Sequence, residues 1–356
     1  AGHEVKLIVR NDIPLKLEKS IKEHNFQSFR INWGPDYLGF KNSFINNLKA
    51  VYRMITISLK LLIYDKSLKT EVLYVPNYIQ FFFVWFYLVF TNKKTVFRIG
   101  DIPSVGFFHI LMWKYFINPR VNFFVCNSDY GKYCLLKNIG DDKASKIKVI
   151  RNIYNEKILE KAKNINDLSQ FRCLYVGQLN EHKGANIAIE AALKVCESYN
   201  NYTFSFVGED PSFNRLIKKQ ILKIKNDKRL NALIKFHGFV PHKDLKKHYL
   251  NSNLLIVPSV FEDSSPNVVL EARYLGLPIV AFEVGGIPEL VEHEQTGYLC
   301  REKTMDFLIK GIFFVCSSKE KYKKLSEKSL LLPQDFSSKF IEKSWCDLFN
   351  NVNLVS

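Results

Sequence analysis

Three carboxylates crowd one short stretch of this 356-residue chain: Glu262, Asp263 and Glu271, within PSVFEDSSPNVVLEARYLGLPIVAFEVGGIPEL, residues 258–290. Ser264 and Ser265 offer hydroxyl caps, and Pro266 suits a first helical turn. Leu270, Ala272 and Leu275 then give a helical apolar pattern before Gly276 and Pro278 stop it. A helix starting there leaves its first amide N–H groups without intrahelical partners, at the positive end of its dipole. It could therefore hold a pyrophosphate without a metal. Carboxylates repel phosphate, so their place is on neutral hydroxyls to either side of it, where an ionised acceptor makes strong hydrogen bonds. Glu271, one turn into the helix, is expected at a ribose, and Glu262 or Asp263 at a sugar. The plainer reading makes Glu271 part of a solvated helix face and Glu262-Asp263 a capping loop.

The elements that must position these groups are legible on either side. FRCLYVGQLNEHKGANIAIEAAL, residues 171–193, reads as a buried strand, Gly177, a loop to Lys183-Gly184, and a helix on Ile187, Ile189 and Ala191-Ala192. Strand, glycine turn and helix is a layout for phosphate. It lacks the order GxxxxGK[ST], and no GxGxxG occurs. Two further strand-turn units follow, around residues 203–210 and 234–259, alternating with lysine-rich helices. Alternating strands and helices argue for parallel sheets covered on both faces, and 356 residues with 47% hydrophobic content are ample for two such domains.

The 258–290 segment resembles the retaining glycosyltransferases of family 4, which have the GT-B fold. Their signature is an acid, seven intervening residues, a glutamate, a helix of small residues and a VGGIPE-like loop. Asp263 and Glu271 have that gap, and Glu262 lies one residue farther, so spacing favours Asp263 while Glu262 remains an alternative. The upstream loop is similar to the family's GRL…EKG pattern, whose Arg and Lys both grip a diphosphate. Here Gln178 stands in place of the Arg and Lys183 matches, which leaves one cation and removes a planar fork.

The resemblance implies two Rossmann-like domains facing across a cleft. Residues 1–152 would be the acceptor-side domain, completed by a terminal helix in 335–356, and residues 153–334 the nucleotide-sugar domain. The opening AGHEVKLIVR resembles the end of a first helix and a second strand, which implies that roughly 30 residues, the size of one strand-helix unit, precede it. On that reading a strand starts near Val5, beside a gap in the sheet.

The implied activity is transfer of a sugar from a UDP- or GDP-linked donor to a hydroxyl of a saccharide or lipid-linked saccharide, in cell-surface polysaccharide synthesis. Lys183 and backbone amides from Ser265 through Pro266 and Asn267 to Val268 would hold the leaving diphosphate. Asp263 or Glu262, with amides near Gly285-Gly286, would orient the sugar. Backbone around Phe239 and Val240 would meet the nucleobase, with Gly177, Gln178 and Gly208 nearby. On the acceptor side the polar candidates are Asn77, Arg98 and Asp101, with Gly100-Asp101 standing where relatives carry His-Asp, and Asn127 and Ser128 would border the cleft. Ser128 as a helix cap is the plainer account. Another GT-B enzyme, such as a nucleotide-sugar epimerase or a phosphorylase, and a catalytically silent scaffold are the alternatives.

A formal charge of +16 favours polyanionic partners, and nothing here resembles a nucleic-acid module. Basic and apolar residues interleave in residues 48–66 and 79–94. The second apolar run is too short to span a bilayer, but both segments could lie at an anionic membrane surface, with Trp85 and Tyr87 at the interface and Lys93-Lys94 on headgroups. The alternative is a buried helix with solvated lysines. Seven cysteines without framework spacing point to reduced thiols and a cytoplasmic protein, placed at the inner face of the plasma membrane by those segments. No CxxC, HExxH, DxD or GxSxG occurs, so the sequence implies no metal or nucleophile elbow and no cofactor beyond the donor substrate.

Overall fold

The computed structural model describes residues 6–10, 27–31, 44–68, 71–103, 106–153, 168–209 and 214–354. They divide into two units, one of Ala1–Cys126, Leu135–Lys148 and Ser344–Ser356, the other of Asn127–Cys134 and Val149–Lys343.

In the first unit β1 (Lys6–Arg10) and β2 (Gln27–Ile31) form a two-stranded parallel ladder. A separate four-stranded sheet runs in the order β3 (Val72–Val75), β4 (Lys94–Ile99), β5 (Phe123–Cys126), β6 (Ile147–Val149). Central β4 carries buried Val96, Phe97 and Ile99, an apolar run suited to a strand covered on both faces. Helix Tyr78–Phe90 packs on it through Phe81, whose ring stacks on Phe97 at 4.9 Å. The helix starts where Asn77 Oδ1 accepts the Gln80 amide, so Asn77 acts as a cap.

Within residues 79–94 the interfacial expectation fails at Tyr87 and Lys93. Tyr87 is buried and its hydroxyl donates to Asp65, while Lys93 pairs with the same carboxylate at 2.9 Å. A helix apolar on nearly every side is stable only between neighbours, and this one lies between the sheet, helix Phe44–Leu68 and the segment Phe107–Ile117. Among the described residues, no helix is long and apolar enough to cross a membrane.

The second unit is a six-stranded parallel sheet. Its strands are β7 (Phe171–Val176), β8 (Tyr202–Val207), β9 (Ile234–Phe236), β10 (Leu254–Val257), β11 (Ile279–Phe282) and β12 (Gly297–Cys300), in the order β12-β11-β10-β7-β8-β9. LLIV and IVAF in β10 and β11 are wholly buried, as strands covered on both faces require. The chain winds outward from β7 to β9 and then returns to lay β10 on β7's other side. That reversal opens a crevice at the carboxyl ends of β7 and β10, the usual ligand position in open α/β sheets. The last helix, Ser338–Leu354, starts in this unit. Its residues from Ser344 group with the first unit, where Trp345 meets Tyr74 edge to face at 5.7 Å.

Candidate donor site

At the crevice the loop after β7 meets the loop after β10. The Val260 and Phe261 amides both donate to the His182 carbonyl, and the His182 and Phe261 rings pack edge to face at 4.2 Å. Gly184, with φ of 66°, allows this approach: a Cβ there would lie 1.8 Å from the Pro258 carbonyl oxygen.

Lys183 Nζ donates to Asp263 Oδ2 at 2.8 Å. The expected phosphate cation and the expected sugar-binding acid are thus an ion pair, both partly exposed. Asp263 is held twice more. Its Oδ1 accepts the Ser265 amide at 3.3 Å, and its carbonyl accepts the Gly286 amide at 2.8 Å. Glu262 is exposed and turns to a different partner, Tyr130. Burial first, then the hydrogen bond to Glu262, pushes the Tyr130 phenol well above the usual tyrosine range. Spacing alone left these neighbouring acids as alternatives, and their partners now set them apart.

Two expectations about the next helix need correction. It runs Asn267–Tyr274 with Pro266 as its cap residue, so Pro266 precedes the first turn instead of lying in it, and neither Ser264 nor Ser265 supplies a side-chain cap. The Asp263 carboxylate takes the Ser265 amide two residues on, making a tight turn that delays the helix. Ser264 and Ser265 are buried, and Ser265 Oγ has no partner among the described residues. The helix start is fixed from outside by Asn152 Nδ2, which donates to Asn267 Oδ1 at 2.9 Å and the Ser265 carbonyl at 3.3 Å. The Asn267 and Val268 amides have no intramolecular partner among the described residues, as a helix amino end dictates. Of the Gly285-Gly286 pair, the Gly286 amide is donated to the Asp263 carbonyl.

Glu271 lies on this helix and is 7% exposed. Tyr249 Oη donates to its Oε2 at 2.7 Å, and His242 Nε2 lies 2.8 Å from its Oε1. It is therefore not a solvated face residue. Both partners belong to helix His242–Leu250, which follows the loop of Phe239 and Val240. Phe239 is 70% exposed, and the Gly208 amide donates to the Gly238 carbonyl, so that loop abuts the end of β8. Gly177 donates its amide to Val207, next to Gln178, whose Oε1 accepts from Asn180 Nδ2 at 3.1 Å. Helix Asn267–Tyr274 is anchored behind by fully buried Arg273, which donates to the carbonyls of Leu290 and Leu331 at 2.9 and 3.0 Å.

Asp101 and Arg98 lie at the end of β4 in the first unit, and Asp101 is exposed. Asn127 and Ser128 follow β5 and are buried, with Ser128 Oγ accepting the Gly131 amide at 2.9 Å as a cap. Sequence reasoning did not single out Tyr249, His242, Tyr130, Asn152, Arg151 or Glu289. Glu289 accepts the Asp129 and Tyr130 amides at 2.9 and 2.6 Å and pairs with Arg151, which also holds Asp129 and Asp335 at 2.7 and 3.0 Å. Only Glu289 carried a signal, as the acid closing the VGGIPE loop.

Residues 156–330 match the family described as Glycosyl transferases group 1. The chain is similar to an uncharacterized glycosyltransferase of Haemophilus influenzae, 28% identical over 198 residues, covering 55% of this chain and 54% of that protein. It is also similar to the amylovoran biosynthesis glycosyltransferase AmsK of Erwinia amylovora, 31% identical over 136 residues, covering 37% and 32%. The matches thus span from a third to about half of these relatives' lengths. The fold is shared with the Anabaena protein HepE, solved with UDP-glucose, at a TM-score of 0.73 and 17% identity over 97% of this chain and 99% of that one. Two α/β domains with parallel sheets make this the GT-B fold.

Proposed function

We propose that this chain, whose residues 156–330 match the group 1 glycosyltransferase family, is a retaining enzyme of family 4 type. It moves a sugar from a UDP- or GDP-linked donor onto a hydroxyl of a saccharide or lipid-linked saccharide, without a metal. The observation that carries this reading is the start of helix Asn267–Tyr274. Two amides and a buried Ser265 hydroxyl, all without partners among the described residues, stand beside the Lys183–Asp263 pair, with Glu271 one turn behind. Such a cluster offers donors for a diphosphate and acceptors for carbohydrate hydroxyls in one place.

On this reading Lys183 exchanges its carboxylate partner for diphosphate oxygens as the donor enters. Asp263, freed, accepts from a hydroxyl of the transferred sugar, with Glu262 as the alternative. Glu271 accepts from ribose hydroxyls while Tyr249 and His242 hold it. The bond from the anomeric carbon to the phosphate oxygen breaks as the acceptor oxygen attacks from the same side. The acceptor's proton passes to the departing phosphate oxygen, so no side-chain base is needed and configuration is kept. Catalysis then rests on positioning and charge stabilisation. The reaction would run at the cytoplasmic face of the plasma membrane, in cell-surface polysaccharide synthesis; the Erwinia relative is named for amylovoran biosynthesis.

A screen of labelled UDP- and GDP-sugars tests this, reading donor-dependent thermal stabilisation, released nucleotide and the anomeric configuration of the product. Glu271→Ala should weaken donor binding by about 1–3 kcal/mol, the worth of a charge-assisted hydrogen bond. Unchanged donor affinity removes Glu271 from the site, and a free epimerised nucleotide sugar or a sugar phosphate as product replaces transfer with another GT-B chemistry.

A further inference from the structure

The donor chemistry leaves unused the outer face of the helical layer over the first unit's four-stranded sheet. Helix Phe44–Leu68 turns Ile57, Ser58 and Leu61 inward, with Ser58 Oγ donating to the Phe83 carbonyl at 2.9 Å. On its opposite side Tyr52, Ile55, Leu59 and Ile63, three or four residues apart, are 69%, 41%, 53% and 72% exposed. On the other flank of helix Tyr78–Phe90, segment Phe107–Ile117 buries Trp113 and Ile117, with Trp113 stacked on Phe97 at 5.9 Å. Phe107, Phe108, Tyr115 and Phe116 stand 72%, 81%, 62% and 53% exposed. Helix Tyr78–Phe90 joins the two flanks through Tyr87 to Asp65 and through Trp85 Nε1, which donates to the Phe116 carbonyl at 3.1 Å. Scattered exposed apolar residues are ordinary, but two dense stripes on adjoining elements are not.

We propose that this face docks on an anionic lipid membrane. Its charge selects that occupant. Over residues 44–68, 78–90 and 107–120 the exposed basic residues are Lys49, Lys60, Lys114 and Arg120. The sole carboxylate there is Asp65, and Lys93 neutralises it at 2.9 Å. A second copy of a chain with charge +16 would bring like charge against like across such a face, whereas anionic headgroups complement it. Exposed aromatics next to Lys and Arg suit the headgroup boundary, and surface-lying elements need no span. In the sequence Phe107 follows Asp101, the expected acceptor-side residue, by six positions. Docking there fits a lipid-linked acceptor and in this respect extends the transfer reading, although the face itself is independent of donor chemistry.

The test is sedimentation of the chain with vesicles of phosphatidylcholine alone or mixed with phosphatidylglycerol, without donor or acceptor, so that its outcome does not depend on transfer. Partitioning should be at least roughly tenfold stronger onto the phosphatidylglycerol vesicles and should fall with salt. Phe107→Ser with Phe108→Ser, and separately Lys60→Glu with Lys114→Glu, should each lower it by roughly tenfold or more while the melting temperature holds. Absence of wild-type binding, equal binding to both lipids, or variants that bind as wild type would overturn the proposal. So would light scattering that shows a dimer abolished by the same substitutions.

Discussion

The Lys183–Asp263 ion pair separates two roles that usually move together in a mutant. In this structure the lysine is neutralised by its acid at 2.8 Å, and on the proposed reading a donor diphosphate would displace that acid. Asp263→Asn removes the competitor and should leave nucleoside-diphosphate affinity equal or tighter by calorimetry. If Asp263 then orients the sugar, transfer should fall at least roughly tenfold, the worth of one lost charge-assisted hydrogen bond. Equal loss of diphosphate affinity and transfer would instead make Asp263 part of the loop's framework. Tyr249 offers a second separation. Its buried hydroxyl donates to Glu271, and burial together with that neighbouring carboxylate raises the phenol's pKa well above its usual range, so it remains a donor at every physiological pH. Tyr249→Phe leaves one carboxylate oxygen without its donor and should raise KM for the donor several-fold with kcat little changed. A change confined to kcat would place Tyr249 elsewhere in the reaction.

At the scale of elements, the glycine loop after β11 decides whether the site assembles. A Cβ on Gly286 would lie 1.8 Å from the Ser264 carbonyl oxygen, against backbone that cannot give way without moving Asp263. Gly286→Ala should therefore cost about 2–4 kcal/mol of stability, measured by denaturant unfolding, and should lower donor affinity at the same time. A variant of wild-type stability would mean the loop has room the close approach denies. The sequence made these elements readable because fully buried parallel strands are apolar runs and glycine punctuates their ends, as LLIV, IVAF and Gly285-Gly286 do. Within the site the reading was less complete, since its partnerships are long-range. Lys183 and Asp263 are 80 residues apart and Tyr249 and Glu271 are 22 apart, and no periodicity encodes such pairs. The helix start was misjudged for the reverse reason. Ser264, Ser265 and Pro266 are favourable cap residues by type, and a local turn on Asp263 overrode that preference.

At the scale of the whole molecule, seven cysteines, none of them in a disulfide, report on both units. Six are buried, and only Cys346, on the last helix, is partly exposed. Burial pushes the thiols of Cys196 and Cys300 up to about 12, so at pH 8 only about one in ten thousand of either carries the reactive thiolate even where reagent can enter. A disulfide reagent at pH 8 should thus titrate one thiol quickly, and Cys346→Ser should abolish that phase. Cys126 belongs to the first unit, whereas Cys173, Cys196, Cys300 and Cys316 belong to the second. Each unit has its own apolar core, so all-or-none unfolding of the whole chain is not required. Labelling along a urea gradient, with modified peptides identified by mass, should release Cys126 at a midpoint different from the four shared by the second unit. A donor nucleotide bound to the second unit should raise those four midpoints by mass action and leave Cys126 where it was. Coincident release of all five, shifted together by nucleotide, would show that the two cores unfold as one.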